Sequence, residues 1–304
     1  MERRAILVPA TMAVALVVAA CAVALLVVPQ KAGATFPGKP GRIAYSGFEG
    51  NDTEIYTINP NGTGKFQVTK NGANDTDPAY SPSGRRIALS GFDGKDFEIY
   101  TIDVHGKNRV QVTKNATNDY DPAYSPSGRR IAYSGFDGNK SHIYTISVRG
   151  KDQVQVTKNA TDDSAPTYSP NGKRIAYTAF DGNDADIYTV NLNGAGRVQV
   201  TNNATNDYDP DYSPNGERIA YSGFDGKDFD IYTISVRGEK RVQVTKNGLN
   251  DAEPSYSPNA NKITYSGADG NDNDIYTVNP DGGGKLQVTK NATRDYAPSW
   301  GSRP

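Results

Sequence analysis

The sequence predicts an all-β chain folded as a six-bladed β-propeller of four-stranded antiparallel blades, and three observations predict it. Arg-Ile-Ala-Tyr and its equivalents put Ile at 43, 87, 131, 175, 219 and 263, a step of 44 residues kept through six copies without an insertion. Each copy contains four short runs rich in Tyr, Ile, Val and Thr, residues that suit a pleated, half-buried surface, and Gly, Pro, Asn and Asp punctuate them. No stretch after the N-terminal segment carries a 3.6-residue apolar period long enough for a substantial helix. A period in the forties with several strands per unit indicates a propeller.

The fullest copy runs from Asp207 to Thr245 and shows how each strand is specified. Pro-x-Tyr-Ser forms strand A and is stopped by Ser-Pro-x-Gly, which presets a tight turn. Arg-Ile-Ala-Tyr-Ser forms strand B, a Gly/Asp loop follows, and Asp-Ile-Tyr-Thr-Ile forms strand C. After a second Gly turn, Val-Gln-Val-Thr forms strand D. The first copy begins at strand B with Arg42, whereas the chain finishes with Asp295 to Trp300, a D-x-x-P and a strand A without a following B. The two fragments complete one blade, which pairs the terminal strands and closes the ring. Trp300, the only Trp, stands where other copies have Tyr80, Tyr124, Tyr168, Tyr212 and Tyr256, and reads as a larger aromatic plug at that seam.

Composition narrows the classes. The 304 residues carry 33 Lys+Arg and 34 Asp+Glu, a balance unlike that of a dedicated nucleic-acid binder. The single Cys, Cys21, lies in the N-terminal apolar stretch, so the body has no disulfide scaffold, Cys-ligated zinc or thiol nucleophile. Arg3 and Arg4 precede an apolar run from Ala5 to Val28, and Ala32-Gly33-Ala34 suits cleavage before Thr35. Residues 1–34 therefore read as an export signal, with a retained or lipidated membrane anchor as the alternative. A short linker at 35–41 and a propeller at 42–304 follow. The body is expected outside the cytoplasm, touching membrane only through the N-terminal segment.

Topology turns charge into a statement about faces. In an up-and-down blade, the B-to-C and D-to-A connections share one rim and the A-to-B and C-to-D turns share the other. The first rim collects 27 of the 34 acids, and the second 20 of the 33 basic residues, including Arg85, Arg86, Arg129, Arg130, Lys173, Arg174, Lys240 and Arg241. Near-neutral net charge thus conceals an acidic and a basic face, a separation that steers charged partners.

The D-x-x-P-x-Y-S-P-x-G-x-R-I-A-Y and D-I-Y-T units resemble the six-bladed propeller repeats of the TolB family, over Arg42 to Trp300. The resemblance implies a periplasmic binding protein whose channel mouth receives a protein partner. The family's namesake belongs to the bacterial Tol-Pal envelope system and carries an α/β domain ahead of its propeller. Here seven residues, Thr35 to Gly41, separate the expected signal from the first strand, so the α/β domain is expected to be lacking and the resemblance leaves a Tol-Pal role open.

On the acidic rim, Asp75, Asp119, Asp163, Asp207, Asp251 and Asp295 open every D-x-x-P and are expected to cap turns by accepting backbone N–H bonds. Behind them the D-to-A loops vary, with Ser164-Ala165 in one copy and aromatic or acidic residues in others. Asp77, Tyr120, Asp121, Tyr208, Asp209, Glu253 and Tyr296 are the candidate partner-binding residues. Tyr supplies contact area at low entropy cost, and the acids suit a basic protein or peptide. The Asp-Gly-x-Asp-x-Asp/Glu loops make Asp184, Asp186, Asp228, Asp230, Asp272 and Asp274 candidate calcium ligands, although Gly occupies the second place and an EF-hand's twelfth-position Glu is lacking. In blade three, Asn139-Lys140-Ser141-His142 removes the acids and would abolish such a site. No other cofactor is expected.

Catalysis finds little support. His105 falls in a C-to-D turn and His142 in a B-to-C loop on the opposite rim; neither has a repeated Ser or Cys partner, and both read as surface substitutions. Asn115, Asn159, Asn203 and Asn291 begin Asn-Ala-Thr, which reads as turn chemistry in a bacterial-looking repeat. The sequence thus describes an exported, monomeric, non-catalytic propeller of the periplasm, envelope or extracellular space that binds protein. A carbohydrate-binding or carbohydrate-cleaving propeller using the same mouth is the alternative.

Overall fold

A computed structural model describes residues 36–180 and 182–303. The expected signal at 1–34, Cys21 and the cleavage point before Thr35 lie outside the described residues. Within them, 24 strands form six four-stranded sheets, each in the spatial order A-B-C-D, and there is no helix. The A strands of successive blades touch in an unbroken cycle, from Asp75–Tyr80 through Asp251–Tyr256 to Asp295–Ser302 and back to Asp75–Tyr80. They therefore ring a central channel.

Closure follows the expected route. The C-terminal strand Asp295–Ser302 pairs antiparallel with Pro40–Glu49, with Ile43 opposite Trp300 and Ala44 opposite Ser299. Trp300 is buried with Ile43, Tyr45, Tyr56 and Ile58 of its own blade and with Ile275 and Val288 of blade six. The seam is thus packed like the other joints. Because each sheet is covered by a neighbour on both sides, strand B is buried continuously rather than alternately, as in Ile219-Ala220-Tyr221-Ser222.

Two local features depart from the expected strands. Strand D pairs through only two residues, as at Val242–Gln243. The next Val and Thr leave the ladder: the N–H groups of Val244 and Thr245 both donate to the Ile231 carbonyl, and Thr245 Oγ1 accepts the Ile231 N–H at 2.9 Å. Thr69, Thr113, Thr157, Thr201 and Thr289 repeat that hydroxyl contact, so a side chain completes the backbone pairing in every blade.

Strand A carries a bulge in every blade. The register slips between Thr76 and Ala79, and the residue inside the slip, Asp77, has φ 54°. Asp121, Ala165, Asp209, Glu253 and Ala297 share this left-handed conformation, with φ from 49° to 59°. Such geometry costs a non-glycine residue about 1 kcal/mol or more and persists where surroundings hold it. Here the holding is done by the preceding blade. The N–H groups of Asp77, Ala165, Asp209 and Glu253 donate to Ser46, Ser134, Thr178 and Ser222 hydroxyls on the neighbouring strand B.

Candidate functional site

The bulges aim one residue per blade at the channel. In blade order from Asp77 these are Asp77, Asp121, Ala165, Asp209, Glu253 and Ala297, two pairs of adjacent acids separated by single alanines. The four carboxylates are buried, with relative exposures of 1%, 6%, 1% and 6%. They sit inside the channel, behind the mouth. The alanine gaps have a structural use, since Asp121 accepts the Ala165 N–H at 3.1 Å and Glu253 accepts the Ala297 N–H at 2.7 Å. Asp77 and Asp209 are each followed by another acid instead of an alanine. Asp77 Oδ1 and Asp209 Oδ2 are buried without a hydrogen-bond partner.

Burial, followed by the Asp121 charge, pushes Asp77 up to about 8. Burial, followed by the charges of Glu253, Asp121 and Asp77, pushes Asp209 well above the ordinary carboxylate range. Asp77 and Asp209 thus retain protons near neutrality, and the charges of Asp121 and Glu253 contribute to holding them there. One residue earlier, at the mouth, stand Thr76, Tyr120, Ser164, Tyr208, Ala252 and Tyr296, so three Tyr alternate with three small residues. The Tyr are half-buried. Tyr120 packs on Phe97 at 4.9 Å between ring centroids, Tyr208 packs on Phe229 at 5.8 Å, and Tyr296 Oη donates to Thr53 Oγ1 at 3.4 Å.

The first Asp of each D-x-x-P is fully buried, and its role differs from the expected one. Asp119, Asp207, Asp251 and Asp295 accept the side-chain amide of the Asn four residues earlier at 2.7 to 2.8 Å, rather than capping through backbone N–H groups. The same Asn115 Oδ1 accepts the N–H and hydroxyl of Thr117, so Asn-Ala-Thr is a clamp for the D-to-A loop. Burial pushes Asp119 up to about 7 and Asp207, Asp251 and Asp295 up to about 6. Blade two differs: Leu89 replaces the strand-B Tyr, and Arg109 reaches Asp75 with two bonds at 2.6 and 2.8 Å.

Among the described residues, the B-to-C loops bring three carboxylates together in two blades. One oxygen each from Asp225, Asp228 and Asp230 lies within 4.8 Å of the others, and Asp269, Asp272 and Asp274 form the same arrangement. Asp225 and Asp269 were outside the set expected from sequence. Asp181 lies outside the described residues, so the blade-four loop is represented by Asp184 and Asp186 alone. Asp186 binds Gln199 and Thr201 of strand D, as Asp230 binds Gln243 and Thr245 and Asp274 binds Gln287 and Thr289. His142 occupies the equivalent position in blade three. Expected at the surface, it is instead 6% exposed, because that position faces strand D, and its Nε2 lies 3.3 Å from Asp137.

The opposite rim carries less free charge than its sequence count. Arg130, Arg174 and Arg218 lean over strand C to a Thr hydroxyl and a turn carbonyl. Arg109, Arg197 and Arg241 lie 3.7 to 4.1 Å from Tyr ring centroids. Arg85, Arg129, Arg149, Lys151 and Lys173 remain exposed on that rim. Strand B of blade one starts there, and the residues just before it stay docked on the propeller: Phe36 is buried, and the Gly38 N–H donates to the Pro258 carbonyl at 3.1 Å.

Comparison with known proteins agrees with this architecture. A profile described as the TolB beta propeller domain matches residues 34–165 and 150–303. No curated protein matches the chain. Among solved structures, TolB from Acinetobacter baumannii is similar with a TM-score of 0.78 and 21% identity, over 86% of this chain and 66% of that one. A putative TolB from Agrobacterium tumefaciens gives 0.70 and 20% over 86% and 99%, and the hydrazine synthase of Kuenenia stuttgartiensis gives 0.74 and 15% over 88% and 47%. This chain thus spans 66% of the Acinetobacter protein's length, and at such identities the likeness is one of fold. With the profile covering nearly all of the propeller, the chain belongs to the TolB beta propeller domain family.

Proposed function

We propose that the protein is an exported, non-catalytic binding or scaffold module of the cell envelope that receives a basic segment of another protein at its channel mouth. The observation that carries this reading is the ring of four buried carboxylates behind three half-buried Tyr. Burial, with the charges of neighbouring acids adding to it, holds Asp77 and Asp209 in the protonated form. A lysine, arginine or N-terminal ammonium entering the mouth offsets those charges, displaces protons and gains charge-assisted contacts in a weakly screened site. The Tyr side chains supply area around the entry with little rotamer freedom to lose. An N-terminal segment retained as an anchor would hold the basic rim toward the bilayer and leave the mouth facing away from it.

A short oligolysine peptide provides the first test. Its affinity is expected to rise with pH through about 8, because the ring must ionise to receive it, and to fall with salt. Asp77→Asn with Asp209→Asn should abolish the pH dependence, and Arg129→Glu on the other rim should leave it intact. Binding that ignores pH, or that responds equally to both changes, overturns the reading.

A further inference from the structure

We propose that the B-to-C loop of blade five is a calcium site formed by Asp225, Asp228 and Asp230. It goes beyond the channel reading and does not depend on it. One oxygen from each carboxylate lies within 4.8 Å of the others. Ca²⁺ takes oxygen ligands at about 2.3–2.6 Å, so opposite ligands of one ion stand about 5 Å apart and three oxygens inside that span fit around one cation.

Proximity of acids alone would be a weak argument, and the second observation is Asp228. This side chain is 7% exposed, and its Oδ2 is buried without a hydrogen-bond partner. A carboxylate oxygen so placed is shielded from bulk solvent and has no protein donor, which is a costly state that a cation would relieve. Among the described residues the three acids make no ion pair within 4.0 Å, although Lys227 lies in the same loop.

The remaining contacts leave room for an ion while fixing the carboxylates. Asp225 Oδ1 accepts the N–H groups of Lys227 and Asp228 at 2.8 and 3.2 Å, which shapes the loop and leaves its other oxygen for a ligand. Asp230 accepts Gln243 Nε2 at 2.7 Å and Thr245 Oγ1 at 3.1 Å, one donor per oxygen. Each oxygen keeps a second lone pair, and the two donors hold the carboxylate in one orientation. Asp269, Asp272 and Asp274 share the spacing but have no orphaned buried oxygen, so the inference is confined to blade five.

Calorimetric titration of the full chain with calcium chloride after chelator treatment tests this, with thermal unfolding as a second readout. The expected dissociation constant is about 10⁻⁴–10⁻³ M, the range of extracellular modules. Asp228→Asn and Asp225→Asn should each weaken it at least about tenfold and remove the calcium-dependent rise in unfolding temperature. Asp225 is exposed, so its variant reports on binding even if Asp228→Asn folds poorly. Asp137→Asn, in the blade-three loop with Lys140 and His142, should behave as the parent. Absence of binding at ~10 mM calcium, tenfold above the weakest such sites, overturns the proposal. So does unchanged binding in both variants, which would put the ion elsewhere.

Discussion

Asp77→Asn probes the channel ring through stability alone. In the folded protein this carboxyl is held near 8, against an ordinary 3.8. Between those values the native state keeps a proton that the unfolded chain has lost, so stability falls as pH rises from about 4 to about 8. At about 1.4 kcal/mol per pKa unit, the ceiling on this penalty is ~6 kcal/mol above pH 8. The ring is shared, and relaxation and coupling with Asp121 and Glu253 reduce it; we expect ~2–3 kcal/mol. Asn mimics the protonated acid and its carbonyl can still accept the Thr76 hydroxyl, which Asp77 Oδ2 holds at 2.8 Å. The variant should therefore be more stable than the parent by ~2–3 kcal/mol near pH 8.5 and nearly equal to it near pH 4.5. Urea unfolding followed by the fluorescence of the buried Trp300 measures both. Equal destabilisation at the two pH values would refute the reasoning, since it would mean that the ionised carboxylate is balanced in the bore.

Three further substitutions test the packing around the site. Arg109→Met leaves the fully buried Asp75 without its two guanidinium bonds and should cost about 3 kcal/mol in urea unfolding, at the low end of buried-pair losses because Arg109 is 27% exposed. Gly223→Ala places a Cβ 2.8 Å from the Tyr232 ring and 2.9 Å from Asp207 Oδ1, and a loss of about 1–3 kcal/mol is expected in the same assay. Blade four carries the natural precedent: Ala179 stands at that position, its Tyr177–Tyr188 centroids are 6.1 Å apart instead of the 5.6 to 5.7 Å of the other pairs, and its Asn159–Asp163 bond is stretched to 3.4 Å. Thr245→Val removes the acceptor of the Ile231 amide at constant shape, and should cost ~1–3 kcal/mol and speed exchange of that amide hydrogen.

Six in-phase copies made the ring legible, because a four-strand repeat with complementary ends has one way to close and Trp300 sits where the closing strand needs it. The two rims followed from strand order. What the residue pattern concealed is the depth of particular polar groups. A left-handed φ ordinarily favours Gly, so Asp77 or Glu253 just before a Pro carries no sign that it is the buried apex of a bulge. The hydroxyls that accept its N–H and hold it there, such as those of Ser46 and Ser222, lie 31 residues away on the previous blade. The Asn–Asp clamps were hidden for the opposite reason: they are local, but a loop Asn and Asp look alike whether they bind backbone or each other. Charge counting failed on the basic rim because long side chains travel, and Arg109 ends at Asp75, near the acidic rim of its blade. Asp225 and Asp269 open the same Asp-Gly-x-Asp-x-Asp motif but stood outside the candidate set; the turn, closed by N–H bonds to their Oδ1 atoms, folds them back beside the later acids.

The claim that the acidic mouth receives a protein partner is tested most directly by site-specific photo-crosslinking in the native host. A photoreactive side chain placed at Tyr120, Tyr208 or Tyr296 should capture one and the same protein, with yield reduced at high salt and when Asp77 and Asp209 are changed to Asn. Capture of that protein from Arg129 or Lys173 on the opposite rim, with none from the three mouth positions, would contradict the account.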